Sequence, residues 1–378
     1  MGTIEIREVK PGGNLGDFLD VVSTIYAKDP VFVRPLDQDL KDRLSQKKNP
    51  FFEHGEGAAF TAHDGGGACV GRITASIDRE HLERYHDGTG FFGFLDTIDD
   101  AQVSGALLAK AEEWLRARGM KTVRGPVSMN VNEEMGCLVE GFDTPPYILM
   151  PHHWPYQAGL IEKAGYAKVK DLHAWSYAVG DLNARTKRAH DGITAMPEVT
   201  ARMVSYKDME RDVELIMDVF NDAWSDNWGF VPLTHSEVHK MAKDFKLFLI
   251  PEITRIASIE GEPAAVAVAI PNLNEAIRDI NGQLFPLGIV KMLWRLKVQG
   301  VKTGRLLILG IRKKWRHVRR YGGLSAYLYV EMNHSAHLLG MKGGELGWTL
   351  EDNAAINAGI RLMGGRVEKR YRLYERSL

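Results

Sequence analysis

The sequence predicts an α/β protein that contains two copies of one folding unit. The chain has 378 residues, and a single hydrophobic core rarely grows beyond ~250–300 residues. One order of predicted elements, β–α–α–β–β–β–α–β–α–β, occurs twice along the chain, and such a repeat indicates duplicated units. Near the end of each half, LIEKAGY (160–166) and IRLMGG (360–365) place Gly165 and Gly364 199 residues apart. We therefore expect two domains, residues 1–180 and 197–378, on either side of a polar segment.

The elements of the first half follow from the spacing of its apolar residues. Alternating apolar residues predict strands, and apolar residues three and four positions apart predict helices. Helix 100–119 shows the clearest apolar stripe, and Gly119 ends it. The predicted strands are 4–9, 58–64, 68–77, 91–98, 122–129 and 168–177, and the predicted helices are 14–27, 36–47, 100–119 and 155–164.

The second half repeats this pattern. Strands 254–261 and 263–271 are predicted to form a hairpin around a Gly-Glu turn. The other predicted strands are 200–206, 305–311, 344–350 and 367–374, and the predicted helices are 207–223, 235–246, 322–338 and 352–363.

Composition excludes several protein classes. With 44% hydrophobic and 26% charged residues, the chain is neither disordered nor fibrous. Its net charge of −1 gives no overall attraction for nucleic acid. Two cysteines, Cys69 and Cys137, are too few for a disulfide framework or a zinc cluster. The opening residues show no signal-peptide pattern and no run of about 18 apolar residues occurs, so we expect a cytoplasmic protein.

A basic, glycine-containing segment lies between strand 305–311 and helix 322–338. Backbone N–H groups at a helix N-terminus bind phosphate groups, and glycines allow the backbone to approach them closely. The segment therefore predicts a site for a pyrophosphate-containing ligand, with a solvated basic loop as the alternative. Its candidate binding residues are Arg319, Arg320, Gly322, Gly323 and Ser325.

The element order and this segment resemble the GNAT superfamily of acyl-CoA-dependent N-acyltransferases. The resemblance implies two tandem GNAT-like domains of the α/β (α+β) class, each with a mixed, mostly antiparallel twisted sheet flanked by helices. It also implies acyl-CoA as co-substrate. In the first half, the corresponding helix begins with Asp99-Asp100. Because acidic residues at a helix start would repel a phosphate, we expect the second half to bind CoA and the first half to shape the acceptor site.

A second motif of the family is the fifth strand and the helix that follows it. In the family an Asn opens this helix and contacts the pantetheine arm, and a Tyr seven residues later commonly protonates the departing thiolate. Asn353 matches the Asn, but Ile360 stands at the Tyr position, as Ile161 does in the first half. Asn353 is equally suited to cap the helix. The group that protonates the thiolate is therefore left open.

Amide formation also requires a base or a desolvating pocket, because an alkylamine has a pKa of ~10. The polar loop 130–136 follows strand 122–129, and α/β proteins place their sites at such strand ends. The base candidates are Glu133, Glu134, His152 and His153, for which a solvated turn and a helix cap are the alternatives. The substrate-binding candidates are Asn130, Asn132, Tyr156, Trp228 and Phe230; aromatic residues such as the last two are more often part of the core, and a substrate wall is the alternative. No spaced third ligand accompanies the histidines, so we expect no metal.

An apolar helix at about 284–299 separates two strands of the second half. Lys291, Arg295 and Lys297 interrupt it, and it is too short and too charged to span a bilayer. Such a helix suits a membrane interface or a lid over an acyl chain, or it covers the sheet as a buried helix. Together with the basic residues up to 320, it could contact anionic lipid of the inner membrane.

The chain also resembles a narrower group of bacterial two-domain GNAT-like proteins. Some members are implicated as ceramide synthases, which N-acylate sphinganine or 3-ketosphinganine with a fatty acyl-CoA. The resemblance implies a lipid amine as acceptor. A small-molecule or aminoacyl-type N-acyltransferase and a non-catalytic acyl-CoA- or lipid-binding protein are the alternatives. The matching segments are FFGFLD (91–96), RGPVSMNVNEEMGCLVEGFDTPP (124–146), NWGFVP (227–232), PNLNE (271–275), NGQLFP (281–286) and WTLEDN (348–353).

Overall fold

The computed structural model describes residues 3–10 and 12–378. Residues 1, 2 and 11 of the predicted first domain lie outside the described residues. By packing, the chain divides into two compact units. Unit 1 contains the chain up to Leu172 together with 277–289 and 369–378, and unit 2 contains 173–276 and 290–368. The sequence predicted two continuous domains, whereas unit 1 also includes these two later segments of the chain.

Unit 1 has its sheet covered by helices on the side of its main core. Strands β1 to β4 are antiparallel neighbours, whereas β4 and β5 are parallel. The core contains Phe60, Ile73, Phe92 and Leu107, which are fully buried. Its strands are β1 (Glu5–Val9), β2 (Gly55–His63), β3 (Cys69–Asp78), β4 (Thr89–Thr97), β5 (Thr122–Gly125), β6 (Cys137–Glu140) and the first part of β7 (Ala167–Ala178). Its helices are α1 (Gly16–Ile25), α2 (Asp37–Arg43), α3 (Phe51–His54), α4 (Arg79–Tyr85), α5 (Ala101–Arg116) and α6 (Tyr156–Lys163).

Unit 2 repeats this plan. Its first helix, α7 (Ala184–Thr194), lies within the predicted polar boundary segment. Its strands are β8 (Val199–Arg202), β9 (Thr254–Ile259), β10 (Glu262–Pro271), β11 (Thr303–Ile311), β12 (Gly343–Leu350) and the start of β13 (Arg366–Ser377). Strands β8 to β11 are antiparallel neighbours, and β11 and β12 are parallel. The other helices from residue 209 onward are α8 (Met209–Trp224), α9 (His235–Phe248), α10 (Leu273–Ile277), α11 (Leu287–Trp294) with π-helical turns at Arg295–Gln299, α12 (Lys313–Arg316), α13 (Leu324–Leu338) and α14 (Ala354–Leu362).

The duplication is visible in the backbone as well as in the element order. Gly165 follows α6 and precedes β7, and Gly364 follows α14 and precedes β13. Their φ angles are +89° and +95°, values that favour glycine. The same helix stop therefore occurs at the same place in both halves.

The later part of β13 is held in unit 1 by buried polar contacts. The Lys369 side chain is fully buried, and its ammonium donates to the carbonyl oxygens of Gly141 at 2.6 Å and Thr144 at 2.7 Å. Arg372 donates to Asp171 at 2.9 Å. A buried lysine requires such partners, so these contacts fix where the strand lies.

Across the described part of the chain, no helix combines the length and the apolar character needed to cross a membrane.

Candidate active site

In unit 2 the parallel strands β11 and β12 enclose a cleft. Their pairing runs from Thr303–Gly343 to Leu306–Leu346, and both strands continue beyond it. The cleft that opens between these later parts has about 490 Å³ of free space, counted to its open mouth. It is lined by Trp224, Asn227, Leu306, Leu307, Leu309, Tyr329, Leu346, Gly347, Trp348, Thr349, Leu350, Asn353, Ile356 and Ile360. A mostly apolar wall with a few polar groups is typical of a site for an organic ligand.

Asn353 and Thr349 contribute polar groups to this wall. Asn353 Oδ1 accepts a hydrogen bond from the Ile356 amide at 3.3 Å, so the predicted helix cap is confirmed, and the same residue lines the cleft. Thr349 Oγ1 accepts from Trp175 Nε1 at 2.8 Å and donates to Asn357 Oδ1 at 2.7 Å. Because its hydroxyl accepts one hydrogen bond and donates another, Thr349 is held in place in the wall.

The cleft has an apolar side chain at position 360 and a hydroxyl from another helix. Ile360 is buried and lines the cleft where the resemblance would place a Tyr. Tyr329, on α13, lines the cleft as well. Burial raises the pKa of Tyr329, which keeps its hydroxyl protonated at neutral pH. Sequence reasoning missed Tyr329 because the position of its helix relative to β12 is a property of the fold.

The two equivalent helices of the halves begin differently. In α13 the cap position is Gly323, which has no side chain that could accept a hydrogen bond from the first turn. In α5 the Asp100 carboxylate accepts from the amides of Gln102 at 2.7 Å and Val103 at 3.4 Å. The N-terminus of α5 is thus occupied by its own acidic side chain, whereas that of α13 is available to an anion.

The predicted phosphate-binding residues come together at this start of α13. The Gly322 amide donates to the Arg319 carbonyl at 3.2 Å, and Ser325 lies in the first turn. Arg320 forms an ion pair with Glu198, while Arg319 forms no ion pair within residues 3–10 and 12–378. A Cβ on Gly323 would lie 2.9 Å from the Ala189 carbonyl oxygen of α7, so the packing of α7 accounts for this glycine.

In unit 1 the corresponding space between β4 and β5 is filled by the chain itself. Pairing of these strands runs from Thr89–Thr122 to Phe91–Arg124. Beyond it the Val127 amide donates to the Phe92 carbonyl at 2.7 Å, and a Cβ on Gly93 would overlap the Val127 carbonyl. The loop after β5 therefore stays against β4 where unit 2 has its cleft.

The predicted carboxylate pair lies in this loop, and its two members differ. Glu134 accepts from Arg43 Nη1 at 2.9 Å in an ion pair. Glu133 accepts from Asn49 Nδ2 at 3.4 Å, and its Oε2 is buried with no hydrogen-bond partner in the described part of the chain. Burial raises the pKa of Glu133 to about 7, against the attraction of Arg43. Glu133 can therefore exchange a proton near neutral pH, as a general base must.

The histidine pair also separates into two environments. His152 Nε2 lies 2.7 Å from Asp29 Oδ2, and its Nδ1 is buried without a partner among the described residues. Burial lowers the pKa of His152. His153 Nδ1 accepts from the Leu138 amide at 3.1 Å, and burial lowers the pKa of His153 to about 4. His153 is thus a neutral core residue whose acceptor nitrogen is already used, which removes the free lone pair that a base needs.

Two of the predicted substrate-binding residues, Asn130 and Tyr156, already form hydrogen bonds within the protein. Asn130 is buried and its Oδ1 accepts from the Asn132 amide at 2.9 Å, so this pair shapes the loop. The Tyr156 hydroxyl donates to the Thr97 carbonyl at 2.7 Å.

The two aromatic candidates lie in different environments. Phe230 is buried in the core of unit 2, where its ring packs edge-on against Phe220. Trp228 is half-buried and does not line the cleft. The neighbouring Trp224 and Asn227 line it instead. Trp224 is the last residue of α8, and Asn227 follows in the turn beyond it.

Comparison with known proteins finds close relatives over the whole chain. Protein YghO of Escherichia coli (strain K12) is 40% identical over 376 residues, which cover 99% of this chain and 95% of the relative. A protein named bacterial ceramide synthase, from Caulobacter vibrioides, is 38% identical over 380 residues, which cover 99% and 98%. A comparison with protein-family profiles finds no match.

Solved structures share the fold at low sequence identity. A tandem GNAT protein from the clavulanic acid biosynthesis pathway matches with a TM-score of 0.56 and 13% identity, over 99% of this chain and 98% of that one. A GCN5-related N-acetyltransferase from Sphaerobacter thermophilus matches with a TM-score of 0.53 and 13% identity, over 99% and 95%. These matches confirm the predicted tandem GNAT fold. The chain therefore belongs to the family of the Caulobacter vibrioides bacterial ceramide synthase, acyl-CoA-dependent N-acyltransferases with two GNAT-like domains.

Proposed function

We propose that this protein joins the fatty acyl group of an acyl-CoA to the amine of a long-chain base such as sphinganine or 3-ketosphinganine. The observation that carries the proposal is 38% identity to a bacterial ceramide synthase over 98% of that protein. The apolar cleft of unit 2 supports it, because a mostly apolar wall with a few polar groups suits the arm and thioester of an acyl-CoA.

In this proposal the second half binds the acyl-CoA. The open first turn of α13 and the unpaired Arg319 are suited to its pyrophosphate. Asn353 and the apolar residues of the cleft are suited to the pantetheine arm and the acyl carbonyl. Unit 1 is poorly suited to acyl-CoA by comparison. Its Asp100 occupies the N-terminus of α5, and the loop after β5 fills the space between β4 and β5.

The chemistry requires two proton transfers. The amine nitrogen attacks the thioester carbonyl carbon, the C–N bond forms and the C–S bond breaks. Glu133 of unit 1 is our candidate for the proton acceptor, because its buried Oε2 has no hydrogen-bond partner in the described part of the chain and its pKa of about 7 suits proton exchange near neutral pH. The departing thiolate must gain a proton. The Thr349 proton is engaged with Asn357, so Tyr329 is the hydroxyl of the cleft that remains to supply it.

The assay that tests this function offers palmitoyl-CoA together with sphinganine, 3-ketosphinganine or short soluble amines. We expect release of free CoA and an N-acylated long-chain base, both seen by mass spectrometry. Turnover of the short amines with no lipid amide would refute the lipid acceptor and support a small-molecule N-acyltransferase. Binding of palmitoyl-CoA without turnover of any amine would support a non-catalytic binding protein.

Removing the cationic groups at the start of α13 tests the phosphate site. For Arg319→Ala with Arg320→Ala we expect the affinity for CoA to fall by about tenfold or more, since each charge-assisted hydrogen bond contributes ~1.5–3 kcal/mol. The affinity for a pantetheine fragment without phosphates should stay unchanged. Lys243→Ala, an exposed lysine on α9, is the matched control. Equal losses for CoA and the fragment would contradict the assignment.

A further inference from the structure

Helix α11 and its π-helical continuation have one packed side and one exposed side. Met292 and Leu296 are buried and attach the helix to the protein. On the other side, Val290 is 64%, Trp294 53% and Val298 71% exposed. These three residues are four positions apart, so they form one stripe along the helix. We call Val290, Trp294 and Val298 the outer stripe.

The outer stripe is apolar where the exposed side of a surface helix is normally polar. Exposed apolar residues that adjoin each other mark a surface that meets a partner. Phe285 and Leu287, shortly before it in the sequence, are 65% and 78% exposed. The predicted helix is therefore only half buried, and its exposed half carries large apolar side chains.

Charge identifies the class of partner. Helix α11 with its π-helical turns carries Lys291, Arg295 and Lys297 and no Asp or Glu, whereas five of the eight Lys and Arg residues that follow it up to residue 330 form ion pairs with carboxylates. Lys291 and Lys297 are exposed and lie on the same helix as the outer stripe. A second copy of this chain would bring two basic segments together, and like charges oppose association. A partner that is anionic and apolar at once satisfies both features.

We propose that the outer stripe inserts into the surface of an anionic phospholipid membrane. Apolar side chains of an interfacial helix enter the boundary between head groups and acyl chains. A Trp side chain suits this depth because it is apolar with one polar N–H. Lys291 and Lys297 then contact the lipid phosphates. This membrane contact goes beyond the proposed reaction and holds for any acceptor of the enzyme.

Sedimentation with lipid vesicles tests the proposal on the full-length protein. We expect binding to vesicles that contain phosphatidylglycerol and little binding to pure phosphatidylcholine. The triple variant Val290→Ser, Trp294→Ser, Val298→Ser should bind the anionic vesicles at least ~10-fold more weakly, given the apolar area withdrawn from lipid. Lys291→Gln with Lys297→Gln should also weaken binding by about 10-fold, an effect that high salt reproduces in the wild type. Leu338→Ser with Leu339→Ser, two exposed apolar residues at the end of α13, is the control and should bind as the wild type does.

A fluorescence measurement reports on the depth of insertion. Brominated phospholipids should quench the wild-type emission on binding, and Trp294→Phe should remove most of that quenching while vesicle binding is kept. Failure of the wild type to bind anionic vesicles, or equal binding by the triple variant, would overturn the proposal. A wild-type dimer that the triple variant dissociates, without vesicle binding, would identify a protein interface instead.

These outcomes are separable from those of the enzyme assay. Activity measured on detergent-dispersed substrates should be the same for the wild type and the triple variant, because the outer stripe is not part of the cleft. Absence of amide product in both would refute the proposed reaction and leave the vesicle result valid.

Discussion

Replacing Ile356 with Trp is expected to lower the affinity for acyl-CoA by about 100-fold, because an overpacked contact costs up to ~3 kcal/mol. Ile356 lines the cleft between β11 and β12 from the first turn of α14 and is half-buried. The larger side chain would occupy space that the ligand needs. The cleft is open to solvent, so the folded protein can accommodate the ring. Isothermal titration calorimetry with CoA and a short-chain acyl-CoA measures the effect.

The same helix provides a control for this substitution. Leu362, at the other end of α14, is 41% exposed and does not line the cleft. We expect Leu362→Trp to bind acyl-CoA as the wild type does, with a similar melting temperature for both variants. If Ile356→Trp keeps its affinity, the ligand does not pass between β11 and β12. The binding site would then have to be sought elsewhere in the chain.

Glu133→Gln is expected to reduce kcat by ~100- to 10,000-fold, the range that general-base catalysis contributes. The pKa of Glu133 is raised to about 7, so the wild-type rate should increase as pH rises through that value and the carboxylate ionises. The variant should lose this rise and keep its KM for acyl-CoA. A pH–rate profile at saturating substrate, over about two units on either side of the pKa, distinguishes the two enzymes.

Replacing Glu133 should lower kcat but raise the stability of the folded protein at high pH. Because the folded state binds the Glu133 proton more tightly than the unfolded state, stability is lost as pH rises from the ordinary pKa of 4.5 to about 7. At pH 8, Glu133→Gln should therefore raise the free energy of unfolding by up to about 3 kcal/mol, from the difference of the two pKa values. Urea unfolding at pH 5 and pH 8 tests this, with a gain at pH 8 and little change at pH 5.

Glu134→Gln is the matched comparison. It removes a negative neighbour that raises the pKa of Glu133 and breaks the ion pair with Arg43. We expect the pH–rate profile to shift to lower pH while the limiting rate is retained. A variant Glu133→Gln that kept both its rate and the rise near pH 7 would exclude Glu133 as the base, and His152, with its unpartnered Nδ1, would be the next residue to replace.

Features set by nearby residues were predictable from the sequence. The duplicated element order, the glycine stops at Gly165 and Gly364, and the cap at Asn353 are all local patterns. The acidic residues at the start of α5 likewise predicted a helix N-terminus that does not bind anions. The Asp100 carboxylate accepts a hydrogen bond from the first turn there. Each of these depends on residues within one or two turns of each other.

Features set by distant residues were not predictable. The cleft exists because β11 and β12 cease to pair after Leu306 and Leu346, and no local pattern encodes where pairing ends. Arg43, far away in the sequence, distinguishes Glu133 from Glu134. Likewise, α7 determines why position 323 is a glycine. Apolar spacing identified helix α11 without revealing which of its faces the fold would leave exposed.

The contacts that hold Lys369 and Arg372 in unit 1 have a consequence for folding on the ribosome. Unit 1 includes residues 369–378, which are translated long after Leu172. At ~5–20 residues per second, these residues follow Leu172 by about 10–40 s. During that interval the carbonyls of Gly141 and Thr144 lack their ammonium partner, and β5 and β6 lack the strand that pairs with them. Unit 1 therefore reaches its final structure only after unit 2 has been synthesised.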